Sequence, residues 1–157
     1  MELLVAPEQQ WQTLKKYAVI PTVDLIIEWG DKGILFVRRK IEPYKGLWGF
    51  PGLRVYKPED IPDAIRRIAN EQVGLDVTGC VAIPLAPFVG KFKDRQDISS
   101  GYYIKLLDTD QHIQLNADHL AGYEFFKDVP EGTGSMYKHF FEEYLKLKHG
   151  EISKIEL

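Results

Sequence analysis

The chain is 157 residues long, with 20 Lys and Arg against 23 Asp and Glu, a formal net charge of −3 and 45% hydrophobic residues. Its single cysteine, Cys80, excludes a disulfide framework and a cysteine-based zinc site. No apolar run nears the roughly 20 residues of a membrane span, and the opening MELLVAPEQQ lacks the layout of a secretory signal.

This length suits one globular domain that buries roughly 70% of its unfolded surface, so one domain over residues 1–157 is expected. A cytoplasmic location is expected, with no membrane partner. The mild negative charge argues against bulk nucleic-acid binding but leaves room for a local basic site.

Pro7 and Glu8 predict a short helix running to about Tyr17. Val19 to Trp29 is rich in β-branched residues and reads as a strand. Gly30 to Gly33 is a turn and Ile34 to Arg39 a second strand, so the two read as a hairpin. Lys40 to Phe50 reads as a loop, and Leu53 to Tyr56 as a short strand. Asp60 as N-cap, Pro62 in the first turn and Gly74 as terminator bound the clearest helix. Val77 to Val89, Ser100 to Leu107, His112 to Leu115 and Tyr123 to Phe126 read as strands. Ser135 to Lys148 is a last amphipathic helix, whose Phe140, Phe141 and Tyr144 form a core or dimer stripe. Helices flanking a mixed, mostly antiparallel sheet define an α+β class.

The densest chemical signal is the run from Gly46 to Leu75. A glycine-marked turn, a short strand and a capped helix deliver carbonyl oxygens and helix side chains to one point, which suits a hard cation such as Mg²⁺. Positions 68, 71 and 72 share one side of the helix. Only Glu71 is a carboxylate there, beside the neutral amide of Gln72.

This run resembles the signature of the Nudix hydrolases: Gly, five residues, Glu, seven residues, then Arg-Glu-apolar-any-Glu-Glu-any-Gly-apolar. Phe50-Pro51-Gly52 matches the usual lead-in, and Glu59, Arg67, Glu71, Gly74 and Leu75 match the signature. Leu53 stands at the signature glycine, and Ile68 and Gln72 replace two glutamates. The chain is most similar to the GDP-mannose mannosyl hydrolases, a divergent Nudix group with an apolar residue at the place of Ile68. That likeness runs from about Trp11 to Phe126, through Asp24, Arg39, Pro43, Gly46, Trp48, Arg54-Val55, Asp118-His119 and Tyr123.

The resemblance implies a Nudix fold, an α/β/α sandwich, and a homodimer. It implies Mg²⁺, with Mn²⁺ as substitute, and a nucleotide-sugar substrate of the GDP-mannose or GDP-glucose type. Water would attack C1 of the sugar with inversion, and the nucleoside diphosphate would leave. His119 maps to the general base, a role suited to imidazole, whose unperturbed pKa is ~6.5. Asp24 and Tyr102 map to catalytic positions, with Tyr103 as the alternative tyrosine. Arg39 and Arg54 would meet the diphosphate, with Arg67 and Tyr123 contributing to substrate binding. The metal ligands map to the Gly52 carbonyl, Gln72 and Asp118, and Glu71 is a further candidate. Glutamate in the group becomes Gln72 here and glutamine becomes Asp118, so an exchange that keeps one carboxylate and one amide on the metal is expected.

Plainer roles compete. Glu71 could pair with Arg67 at i,i+4, Glu59 could serve as a helix-terminus charge, and Asp24 could face solvent. A Nudix pyrophosphatase acting on ADP-ribose or an NDP-sugar, and a non-catalytic nucleotide-binding domain, are the alternative functions.

Overall fold

The computed structural model describes residues 1–151 and 153–157. Helix α1 spans Glu8–Tyr17, β1 Val19–Glu28, β2 Ile34–Arg39, β3 Trp48–Gly49, β4 Gly52–Arg54 and α2 Ile61–Val73. They are followed by β5 Ala82–Pro84, β6 Phe88–Lys91, β7 Gln96–Lys105, β8 Leu120–Phe126 and α3 Ser135–Lys148. The strands make one mixed sheet, and helices cover both of its faces.

β1 runs through the middle of this arrangement. Val23, Leu25 and Ile27 point into a core closed by Ala64, Ile68, Ala69 and Val73 of α2. Ile26 points the other way, into a core closed by Met136, Tyr137, Phe140, Phe141 and Tyr144 of α3. A strand covered on both faces reads as a nearly continuous apolar run, which is what residues 23–27 show apart from Asp24. The α3 stripe is therefore core.

Helix α2 follows its sequence signals. The Asp60 side chain accepts from the Asp63 N–H at 2.9 Å, and the Asp63 side chain accepts from the Asp60 N–H at 3.1 Å, forming a capping box. Gly74 ends the helix in the left-handed conformation, with φ of +69°.

The expected hairpin of β1 and β2 is only its tip. The two strands pair at Glu28 and Ile34 and then diverge. A strand has two edges. One edge of β1 is occupied by β7 in a parallel ladder from Val19–Gln96 to Glu28–Lys105, and the other meets β4 at Thr22–Arg54 to Asp24–Gly52. β2 turns away to pair with β8 and β3. The segment between β3 and β4 wedges into the split, where the Leu25 N–H donates to the Pro51 carbonyl at 2.8 Å.

Two further strand expectations change. Residues 77–89 yield two short strands, because Pro84 and Pro87 lack the N–H that a continuous ladder needs. Residues 112–115 form no strand. Here the N–H groups of Gln114 and Asn116 donate to the carbonyls of Val73 and Gln72, each at 2.9 Å. The segment thus satisfies carbonyls that the C-terminus of α2 leaves open.

Candidate active site

The split between β1 and β2 opens a cavity of about 320 Å³. Asp24, Arg39, Gly52, Arg54, Gln72 and His119 all line it. Each arrives by a different device. Asp24 and Gly52 face each other through the β1–β4 ladder, so closely that a Cβ at Gly52 would overlap the Asp24 carboxylate. Arg39 follows a register irregularity between Arg38 and Arg39 in the pairing with β8, which re-aims the strand end. The loop after it folds back, so that Gly46 N–H donates to the Arg39 carbonyl at 2.8 Å. His119 is carried by the segment hooked to the end of α2, and its carbonyl accepts from the Lys40 N–H at 2.8 Å. Its Nδ1 lies 2.9 Å from the Gln72 amide nitrogen and 3.4 Å from that of Asn116.

Asp24 is 3% exposed, in contact with the Ser99 hydroxyl, which donates to it. Burial pushes its carboxyl up to about 6, against the opposing pull of the Ser99 hydrogen bond and the Arg39 charge. Neither Arg39 nor Arg54 has a carboxylate partner among the described residues. Instead, Arg39 Nε donates to the Pro43 carbonyl. The Arg54 guanidinium lies 3.7 Å from the Trp11 ring centroid and 5.3 Å from that of Tyr56. Buried Tyr137 completes the wall; burial raises its phenol pKa, against the Arg39 charge.

The other sequence-derived candidates lie outside this cavity. Arg67 instead holds the cavity's scaffold. It donates to Glu59 at 2.6 and 2.9 Å, to the Arg54 carbonyl at 2.7 Å and to Glu71 at 3.2 Å. Burial pushes Glu59 up, but the bonds from Arg67 and the Tyr56 N–H outweigh it and hold the carboxyl below its ordinary value. Tyr102 packs against the α2-side core, on the face of β7 opposite Asp24. Its neighbour Tyr103 packs on the α3 side beside Tyr144. Tyr123 is 44% exposed and stacks edge-on with Phe125. Asp118 is exposed.

The donor set does not fit a protein-held Mg²⁺. Glu71 is engaged by Arg67, Asp118 faces solvent, and Gln72 offers its amide to His119. Among the described residues no group of three or more His, Cys, Asp or Glu side chains converges to hold a metal. The carboxylate missing at Gln72 is thus not replaced by Asp118 at the cavity.

Sequence reasoning missed Trp11, Thr22, Tyr56, Arg95, Asp97 and Tyr137, which also line the cavity. Arg95 and Asp97 had a readable signal. Their i,i+2 spacing continues the alternation of Ser99 and Gly101, which puts all four on one face once β7 is extended back to Gln96.

Residues 19–140 match the NUDIX domain family. The chain is 32% identical over 114 residues to the low-salt glycan biosynthesis protein Agl8 of Haloferax volcanii, covering 73% of this chain and 70% of that protein. It shares its fold with the MutT NUDIX hydrolase of Burkholderia pseudomallei, at a TM-score of 0.68 and 20% identity, covering 79% of this chain and 96% of that one. It also shares it with the NUDIX domain of Shewanella oneidensis NrtR, solved with ADP ribose, at a TM-score of 0.63 and 16% identity, covering 92% of this chain and 99% of that one. Among the described residues no helix is long and apolar enough to cross a membrane.

Proposed function

This chain belongs to the NUDIX domain family, and from that premise we propose that it hydrolyses a nucleotide sugar, of the GDP-mannose or GDP-glucose type, by attack of water at sugar C1. The observation that carries the reading is the pair Arg39 and Arg54, two guanidinium groups on one cavity with no carboxylate partner among the described residues. Such groups suit a diphosphate, whose charge grows as it leaves. The likeness to a protein named for glycan biosynthesis supports a sugar-bearing substrate.

In this mechanism the water oxygen bonds to C1 while the C1–O bond to the diphosphate breaks. The bonding pair departs on the phosphate oxygen, which Arg39 and Arg54 stabilise. The water proton passes to Nε2 of His119. That role requires the proton of neutral His119 to sit on Nδ1, so the Gln72 amide must present its oxygen to Nδ1–H; a turn of the amide about its last bond achieves this. The Pro43 carbonyl, which accepts from Arg39 Nε, keeps that guanidinium in place. Members of the family generally use a divalent metal; because the donor positions here do not converge, the charge at the leaving group is assigned to the arginines. We take the protein to be a cytoplasmic homodimer without nucleic-acid or membrane partners, and the net charge of −3 agrees with the absence of nucleic acid.

Incubation with a panel of nucleotide sugars in ¹⁸O water tests the reading. Label on the free sugar is the expected result. Label on a phosphate, with sugar phosphate and nucleoside monophosphate as products, would make the chain a pyrophosphatase. No turnover on any member of the panel, with and without Mg²⁺ or Mn²⁺, would make it a binding domain.

A further inference from the structure

The family match covers residues 19–140, so helix α1 lies ahead of it. No residue of α1 is buried, so closing a core does not explain its place. Yet the helix is tied down at both ends. Ahead of it, Leu4 N–H donates to the Lys57 carbonyl at 2.8 Å, and in its last turn Lys15 pairs with Asp94 at 3.0 Å. Trp11 stands one turn before Lys15, on the same side of the helix. It is half-buried and lines the cavity that also holds Arg39, Arg54 and His119.

The carbon of the Arg54 guanidinium lies 3.7 Å from the centroid of the Trp11 ring. At that distance the cation sits over the ring face, because an approach in the ring plane would be stopped farther out by the ring's own edge. Tyr56 lies farther away, at 5.3 Å, and is shared with Arg67 at 4.9 Å. The main chain of Arg54 is fixed separately, since its carbonyl accepts from Arg67 at 2.7 Å.

Two other arginines are held differently. Arg67 donates to Glu59 at 2.6 and 2.9 Å, and Arg95 donates to Asp97 at 2.7 Å. A carboxylate fixes a guanidinium, but it also cancels the charge and occupies the N–H donors. An aromatic face fixes it through the ring quadrupole and leaves the N–H groups at its rim open to an anion. Arg54 has no carboxylate partner among the described residues. A guanidinium already held over a ring also has less side-chain freedom to lose when the anion arrives. We propose that Trp11 is a positioning residue: α1 lays its indole against Arg54 and holds that guanidinium, charged and with open donors, for the diphosphate. The helix ahead of the family-matched region is thereby part of the active site. This rests on Arg54 meeting the diphosphate, as proposed above, but not on which bond is cleaved.

Calorimetric titration with GDP and UDP, run as a double-mutant cycle, tests the role. Trp11→Leu is expected to weaken binding of the tighter diphosphate fivefold or more. Trp11→Phe keeps an aromatic face and is expected to weaken it less than twofold. In a chain already carrying Arg54→Gln, adding Trp11→Leu is expected to change binding less than twofold. Trp11 is half-buried in a helix with no buried residue, so these chains are expected to fold. No loss in Trp11→Leu, an equal loss in Trp11→Phe, or the same loss with and without Arg54→Gln would overturn the positioning role. A loss from Arg54→Gln alone would then leave the diphosphate reading standing. Undiminished binding in Arg54→Gln, or a natural chain that binds neither diphosphate, would overturn that reading and the role of Trp11 with it. Label on phosphate in the ¹⁸O experiment, with the coupling of Trp11 to Arg54 intact, would overturn attack at carbon and leave the role of Trp11 standing.

Discussion

The amide of Gln72 lies 2.9 Å from Nδ1 of His119, joining the last turn of α2 to a loop that is 47 residues away in sequence. The backbone reinforces the contact, since Asn116 N–H donates to the Gln72 carbonyl at 2.9 Å. A family position that usually carries a metal-binding glutamate here orients a histidine. Gln72 is 2% exposed, so a charge at this place would need a partner.

Gln72→Glu therefore converts the position. With the Gly52 carbonyl on the same cavity, the new carboxylate supplies the first acidic donor at the usual metal position. Calorimetry with Mn²⁺ is expected to show weak binding to the natural chain and at least tenfold tighter binding to Gln72→Glu. Asp118→Asn, on an exposed side chain, is expected to leave both titrations unchanged. Equal Mn²⁺ affinity in the natural chain and Gln72→Glu would refute the view that Gln72 explains the poor donor set.

Asp24 makes stability depend on pH. Its carboxyl titrates near 6 in the folded chain against an ordinary value of 3.8, so between these values the folded state holds more protons than the unfolded state. Stability then falls as pH rises through this window, and the loss is complete above about 6. The shift corresponds to roughly 3 kcal/mol. Asp24→Asn removes the burial cost of the charge while keeping an oxygen for Ser99. Melting curves should show the variant several degrees more stable at pH 8 and no more stable at pH 4. If turnover falls in the same variant, the strand trades stability for a charge at the site. An equal gain at both pH values would mean that the carboxylate's charge is not what destabilises the chain.

Glu59 and Arg67 are expected to behave as a buried pair. Their side chains are 2% and 11% exposed, and the two bonds between them measure 2.6 and 2.9 Å. Arg67→Met strands a buried carboxylate, which costs about 3 kcal/mol or more. Denaturant unfolding should show this loss and should show part of it recovered in Glu59→Gln/Arg67→Met. No recovery in the double variant would indicate that Arg67 acts chiefly through the Arg54 carbonyl, 2.7 Å away.

Local order was legible in the sequence where short-range rules operate. The box around α2 is such a case, because capping and left-handed termination involve residues a few positions apart. Asp24 stood out as an acid in an apolar strand, and Arg39, Arg54 and His119 through their place in a family pattern. All four reach the cavity. Tyr102 did not, because alternation along β7 turns it to the opposite face.

By itself, then, the sequence determined the family, the capped helix and half of the charged groups that meet at the site. Only the tertiary structure decided what those groups face. The β1–β7 ladder joins residues more than seventy positions apart and carries Asp97 and Arg95 beside Thr22. The split of β1 from β2 opens the cavity because β4 and β7 already hold both edges of β1. Residues 112–119 show no strand ladder, the N–H groups of Gln114 and Asn116 instead satisfying the end of α2, and that docking sets His119 against Gln72. Edge competition and long-range hydrogen bonding leave no periodic trace in the chain, so the partners of each group emerge only when the sheet is assembled.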